Sequence, residues 1–191
     1  AGWSPTLLLG TDLQDKTLGV IGLGRIGHGL AQRAVKGFGM HCLYHNPHRD
    51  LEMENELGAR GVSLETLLEE SDFVSLHVPL LPSTKHLIST DEFALMKKEA
   101  YLINTSRGPV VDEKALLRAL KTKRIAGAGL DVYECEPAID CDLKDHLALK
   151  NFPNVILTPH TASATVRSRQ AMSRMAAENI IAVLSGRPAL T

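Results

Sequence analysis

The chain of 191 residues sets 21 lysines and arginines against 22 aspartates and glutamates, for a net charge of -1. That balance gives no footprint for nucleic acid or an anionic membrane surface, and no apolar run approaches the ~20 residues of a membrane span. The length suits one substantial core, and three cysteines, Cys42, Cys135 and Cys141, without C-x-x-C spacing argue against a disulfide framework or structural zinc and point to the cytosol.

After an opening segment, Ala1 to Leu13, the apolar run Leu18-Gly19-Val20-Ile21 reads as a strand, and Gly22-Leu23-Gly24-Arg25-Ile26-Gly27 follows it directly. This is the glycine spacing of a strand-to-helix turn around a dinucleotide pyrophosphate. Gly22 makes the tight turn, Gly24 lets backbone approach phosphate, and Gly27 permits close helix-on-strand packing. Ile26, Leu30, Ala34 and Phe38 recur in i+4 steps and predict the buried face of the next helix. Met40 to Tyr44 reads as a second strand, Ser63 caps a short helix with Leu64, Leu67 and Leu68, and Phe73 to Val78 is the next strand. Ser89-Thr90-Asp91-Glu92 is a capping box for a helix through Met96, and Ala100 to Asn104 is a strand. Asp112 caps a helix carrying Leu116, Leu117 and Leu120, and Ile125 to Val132 and Asn154 to Thr158 are strands. A long helix with Met172, Met175, Ala176, Ile180 and Val183 on one face ends at Gly186 and Pro188. Apolar strands alternating with helices predict an α/β fold with a doubly wound parallel sheet of the Rossmann type. Its expected parts are an opening segment over 1–14, the sheet and its helices over 15–163, and a return helix over 164–191.

Such sheets bind ligands beyond the carboxyl ends of their strands. After the second strand comes His45-Asn46-Pro47-His48-Arg49. An Asp or Glu near this position takes the ribose 2′-hydroxyl of NAD. Asn46 removes the carboxylate that would repel a 2′-phosphate and Arg49 offers it a partner, so the reading leans to NADP. In the alternative, Arg49 is a solvated loop residue and Asn46 serves NAD. His41, His45 and His48 lack an acidic or thiol companion at ligand spacing, and no metal site is expected. Three more strand ends carry reactive groups: Asn104-Thr105-Ser106-Arg107-Gly108-Pro109, Asp131-Val132-Tyr133-Glu134-Cys135-Glu136-Pro137, and Thr158-Pro159-His160-Thr161-Ala162-Ser163. Taken singly, Arg107 fits a turn, Glu136 a solvated acid and His160 a loop residue. Their joint placement past three strands favours a redox constellation.

On these motifs, together with His77-Val78-Pro79 and Thr84, Gly129-Leu130-Asp131-Val132, and Ser163-Ala164-Thr165, the chain resembles the nucleotide-binding domain of the D-isomer-specific 2-hydroxyacid dehydrogenases. That group includes glyoxylate/hydroxypyruvate reductases, D-lactate dehydrogenases and phosphoglycerate dehydrogenases. The resemblance implies a catalytic trio of Arg107, Glu136 and His160. It implies cofactor contacts from Arg25, Ile26, Val78, Pro79, Thr84, Thr105, Ser106, Arg107, Asp131, His160, Ala162 and Ser163, beside those that the glycine turn (Gly22, Gly24 and Gly27) and the ribose position (Asn46 and Arg49) suggest by themselves. The chemistry suits those residue types. Arg107 would clamp a 2-keto acid's carboxylate and polarise its carbonyl, and His160 would hand a proton to the developing alkoxide. Glu136 would favour the charged imidazole and fix its tautomer, and Asp131 would accept from the nicotinamide carboxamide.

The chain departs from the family at Asn46, where an acid is usual, and in starting the glycine turn only 22 residues in, without the preceding substrate domain. It therefore reads as a cofactor domain, inactive alone; the resemblance implies a small 2-keto or 2-hydroxy acid as substrate and a homodimer. Two other readings stay open: an NAD-sensing scaffold of the corepressor type, and another user of the glycine turn such as a methyltransferase.

Overall fold

The expected alternation is realised in seven parallel strands: β1 (Thr17–Ile21), β2 (His41–His45), β3 (Arg60–Gly61), β4 (Phe73–Leu76), β5 (Tyr101–Asn104), β6 (Gly127–Leu130) and β7 (Val155–Leu157), in spatial order β3-β2-β1-β4-β5-β6-β7. The computed structural model describes residues 2–7, 9–136 and 148–190; Pro137 and Cys141 lie outside them. It divides into a unit spanning 1–157, which holds the sheet, and a unit spanning 158–191.

Helices α1 (Arg25–Phe38), α2 (Leu51–Leu57), α3 (Leu64–Glu70), α4 (Thr90–Leu95) and α5 (Glu113–Lys121) cover the sheet. Alternate residues of the central strands supply two cores. Leu18, Val20, Cys42 and Tyr44 pack with Ala31, Ala34 and Met53 on the α1 and α2 side, while Ile21, Leu43 and Leu76 pack with Leu67, Leu68, Phe93 and Leu116 on the other. Burying both faces is what a parallel sheet requires, and it explains the near-continuous apolar strands.

Helix starts follow the side chains that cap them. The Ser63 hydroxyl accepts from Thr66 N–H at 3.2 Å, Asp112 accepts from Ala115 N–H at 3.0 Å, and Glu92 accepts from Ser89 N–H at 2.9 Å. The α1 face is a correction. Gly27, Ala31 and Ala34 are buried, whereas Ile26 is 74% exposed and Phe38 56% exposed, because close approach to β1 leaves room only for small residues. Helix α2 and strand β3 were not predicted: α2 buries only Met53, and both β3 residues are exposed, so neither shows a periodic apolar signal. Cys135 is disulfide-bonded, against the expectation from cysteine spacing, and Cys42 is free and buried.

In the second unit, α6 (Val166–Leu184) is capped by Thr165, whose hydroxyl accepts from Ser168 N–H at 3.1 Å. Gly186 ends it at φ +71°, while Met172, Met175, Ile180 and Val183 remain exposed. Among the described residues, no helix is long and apolar enough to cross a membrane.

Candidate cofactor and active site

The sheet order reverses at β1, which lies between β2 and β4, and this opens a crevice beyond the strand ends. Gly22 sits there at φ +93°, and a Cβ on it would come within 2.8 Å of the His77 carbonyl carbon and Val78 Cγ1. A Cβ on Gly27 would lie 2.5 Å from the Gly22 carbonyl oxygen, whereas one on Gly24 would meet nothing within 4 Å. Two glycines are thus demanded by the protein's own packing, and the third leaves space. Helix α1 begins at Gly24 without a side-chain cap or an acid in its first turn, so its N–H groups suit an anion. A dinucleotide pyrophosphate fits this turn.

At the end of β2, Asn46 Oδ1 accepts from Leu23 N–H at 3.3 Å, tying the loop to the glycine turn, and Asn46 Nδ2 donates to the His48 carbonyl at 3.3 Å. Arg49 is paired with Glu54: Nε donates to Oε1 at 3.0 Å, and a second N–H reaches Oε2. His45 Nδ1 lies 3.1 Å from the Val62 carbonyl. Among the described residues, no cluster of three or more His, Cys, Asp or Glu groups is arranged to hold a metal ion.

A cleft of about 480 Å³ opens beyond β4 and β5, lined by Ile26, His77, Val78, Pro79, Leu80, Thr105, Ser106 and Arg107. It brings together six of the predicted site residues. The loop after β4 is braced by the Thr84 hydroxyl, which donates to the Pro79 carbonyl at 2.6 Å and accepts from Leu81 N–H at 2.8 Å. The turn after β5 is built around the buried Asn104. Its Oδ1 accepts from Ser106 N–H at 3.0 Å and from the Ser106 hydroxyl at 2.8 Å, while its Nδ2 donates to the Arg107 carbonyl at 3.0 Å. Arg107 itself is exposed and donates to the Ser106 carbonyl at 2.7 Å.

Sequence reasoning gave no separate role to His77. Its Nε2 lies 2.9 Å from the Ser75 hydroxyl, and burial pushes the imidazole below its ordinary value of 6.5, which favours the neutral ring on the cleft wall. Only its place in a strand-end motif marked it in the sequence.

Beyond β6, Asp131 is buried, and its N–H donates to the Asn104 carbonyl at 3.0 Å. Glu136 is exposed, and its Oε2 accepts from Tyr133 N–H at 3.4 Å. A Cβ on Gly108 would overlap the Tyr133 carbonyl, so glycine there lets the two strand-end turns touch backbone to backbone. The Glu134 carboxylate joins a third segment, lying 2.6 Å from His86 Nε2 and accepting from Glu113 N–H at 3.3 Å. His86 holds φ +52°, and its N–H donates to the Pro109 carbonyl at 2.8 Å.

The remaining predicted residues, His160, Ala162 and Ser163, belong to the second unit. His160 is exposed at φ +53°, a left-handed conformation rare outside glycine, with its N–H donating to the Thr158 carbonyl at 3.1 Å. The Ala164 N–H closes a turn on the Thr161 carbonyl at 2.8 Å.

A doubly wound parallel sheet whose order reverses beside this three-glycine turn defines a dinucleotide-binding domain. Residues 1–162 match the family described as D-isomer specific 2-hydroxyacid dehydrogenase, NAD binding domain, and the chain belongs to that family. It is similar to a glyoxylate reductase of Thermococcus litoralis, 53% identical over 97% of this chain and 54% of the relative, and to a glyoxylate reductase of Korarchaeum cryptofilum, 52% identical over 96% and 54%. Among solved structures it resembles D-lactate dehydrogenase with NAD+ from Lactobacillus jensenii, with a TM-score of 0.88 and 36% identity over 98% of this chain and 58% of that one. The chain spans about half the length of the curated relatives it matches.

Proposed function

We propose that this chain is the cofactor-binding domain of an oxidoreductase that reduces small 2-keto acids, glyoxylate or hydroxypyruvate among them, and oxidises the corresponding D-2-hydroxy acids. The observation that carries the reading is the cleft bounded by Ile26, Val78, Pro79, Thr105, Ser106 and Arg107, at the reversal of strand order and beside the glycine turn. The relatives' additional length leaves room for a substrate-binding portion, with which this domain would complete its site.

In this reading the Gly22 to Gly27 turn and the α1 N-terminus hold the pyrophosphate, with Arg25 and Ile26 alongside. Val78, Pro79, Thr84, Thr105, Ser106 and Asp131, and from the second unit Ala162 and Ser163, would contact the nicotinamide half of the cofactor, which when bound supplies or accepts the hydride. Arg107 grips the substrate carboxylate with its planar fork of donors and draws charge onto the carbonyl oxygen. His160 transfers a proton to that oxygen during reduction and takes it back during oxidation, with Glu136 orienting the ring and compensating its charge. The exposed Arg107, which donates to the Ser106 carbonyl and makes no ion pair among the described residues, supports this assignment.

In the full-length protein, His160→Ala is expected to lower kcat for NAD(P)H oxidation with glyoxylate at least ~100-fold. Retention of most activity removes His160 from the role of acid. Arg107→Ala is expected to raise the KM for the keto acid far more than the Kd of the nucleotide.

For the cofactor we keep NADP ahead of NAD. Asn46 places no carboxylate at the ribose position, and Arg49 stands three residues further along the same loop. Fluorescence titration with NADPH and NADH decides the matter: tighter NADH binding reverses the preference. A homodimer formed through the opening segment belongs to the same proposal, supported by the exposed Trp3, Leu7 and Leu9. A monomer in analytical ultracentrifugation refutes that part.

A further inference from the structure

We infer that Glu54 is a built-in competitor for the cofactor's 2′-phosphate, and that it sets how strongly Arg49 discriminates NADP from NAD. This rests on the reading that Arg49 is the 2′-phosphate's partner. The two groups of the ion pair are held very differently. The Arg49 side chain is 73% exposed on the loop after β2, whereas Glu54 on α2 is only 16% exposed. Glu54 Oε1 accepts from the Tyr44 hydroxyl at 2.7 Å, and that hydroxyl accepts from Asp50 N–H at 2.8 Å. Tyr44 is a buried β2 residue whose ring fills the space left by Gly61, where a Cβ would come within 2.9 Å of the hydroxyl. The carboxylate is therefore anchored by the sheet, and the guanidinium comes to it.

The bonds from Arg49 and then from Tyr44 hold the Glu54 carboxyl below the usual carboxylate range, so it is ionised at neutral pH. It occupies Nε and one terminal nitrogen of Arg49. A phosphate must either draw the guanidinium off Glu54 or share it, and sharing places a dianion near a fixed negative charge. Either route costs binding energy that a ribose hydroxyl does not pay. Asn46, the neighbouring position that would otherwise decide the matter by charge, is neutral and occupied with Leu23 and His48. Discrimination therefore passes to Arg49 and its competitor.

The test is titration of the chain with NADPH and NADH, followed by nucleotide fluorescence. Glu54→Gln keeps the shape and leaves an oxygen for the Tyr44 hydroxyl, but removes the charge. It is expected to tighten NADPH about three- to tenfold and leave NADH unchanged, the scale of one partly exposed ion pair. The gain should shrink as salt is raised from about 0.05 to about 0.5 M, since it is electrostatic. Glu54→Ala should move the NADPH to NADH ratio the same way, which guards against a defect peculiar to the amide. An unmoved ratio, or a parallel change for both nucleotides, overturns the inference. Weaker NADPH binding overturns it too, since Glu54 would then be preparing Arg49 for phosphate. Arg49→Ala separates the layers. A ratio equal to that of the unsubstituted chain sinks the Arg49 reading and the inference with it, whereas a lowered ratio there with an unmoved one in Glu54→Gln sinks the inference alone.

Discussion

The turn after β1 and the turn after β5 stand on the same edge of one sheet and are shaped by opposite means. At Gly22, Gly24 and Gly27 the chain makes a surface by withholding side chains, so that backbone packs on backbone and one opening remains. At Asn104 to Arg107 it makes a surface by burying one amide, which ties together the N–H of Ser106, its hydroxyl and the Arg107 carbonyl. The first kind of site fails when an atom is added, the second when one is removed.

Gly108 is where the two strategies meet, and substitution there should have the largest effect. Gly108→Ala drives a methyl into the Tyr133 carbonyl and should cost about 3 kcal/mol or more, or prevent folding, as urea unfolding would show. Asn104→Ala takes the shared acceptor from the buried Ser106 N–H and hydroxyl, and one of two donors from the Arg107 carbonyl, which keeps the Val110 N–H; it should cost about 2–3 kcal/mol in the same measurement.

The glycine turn can be split by function. Gly27→Ala, crowded against the Gly22 carbonyl, should lose about 1–3 kcal/mol, while Gly24→Ala should cost only a few tenths, since nothing lies within 4 Å. Yet Gly24→Ala should weaken nucleotide binding at least about tenfold if the opening is where phosphate approaches. Equal nucleotide affinity in Gly24→Ala and the unsubstituted chain would dissolve the contrast drawn above.

The smallest expected effect is a pH dependence. Burial raises the Asp72 carboxyl, but the Thr17 N–H at 2.8 Å and Lys97 at 3.0 Å outweigh it, and the group sits below its ordinary value of 3.8. A folded-state pKa below the unfolded one means that the stability it provides is complete above the ordinary value and is lost as pH falls through the folded value. Asp72→Asn should therefore flatten the acid limb of a stability-against-pH curve measured by urea titration. An unchanged limb assigns that loss to other carboxylates, Asp112 foremost, which burial also raises and hydrogen bonds from Ala115 N–H and Ser89 pull down.

Features that depend on local chemistry could be read from the sequence. The glycine spacing, the caps at Ser63 and Asp112, and the Ser89-Glu92 box each involve residues within three to five positions, and all are present. What escaped depends on distant neighbours. The buried face of α1 is set by how closely β1 lets it approach, so small Gly27, Ala31 and Ala34 displaced the larger Ile26 and Phe38. Arg49 read as an unengaged cation because Glu54 lies on a helix with one buried residue, and only Tyr44 from the sheet fixes that carboxylate beside it. His86 and Glu134 are 48 residues apart, and no spacing rule links them.

The peptide contact at Gly108 has a further consequence for how this rim can change over time. Because the α-carbon of residue 108 rests on the Tyr133 to Glu134 peptide, the two loops are keyed to one another like cog and pawl. Lengthening either by a residue would unseat the other, so variation in this lineage should fall on partners that swing freely at the surface and leave the paired turns invariant in length.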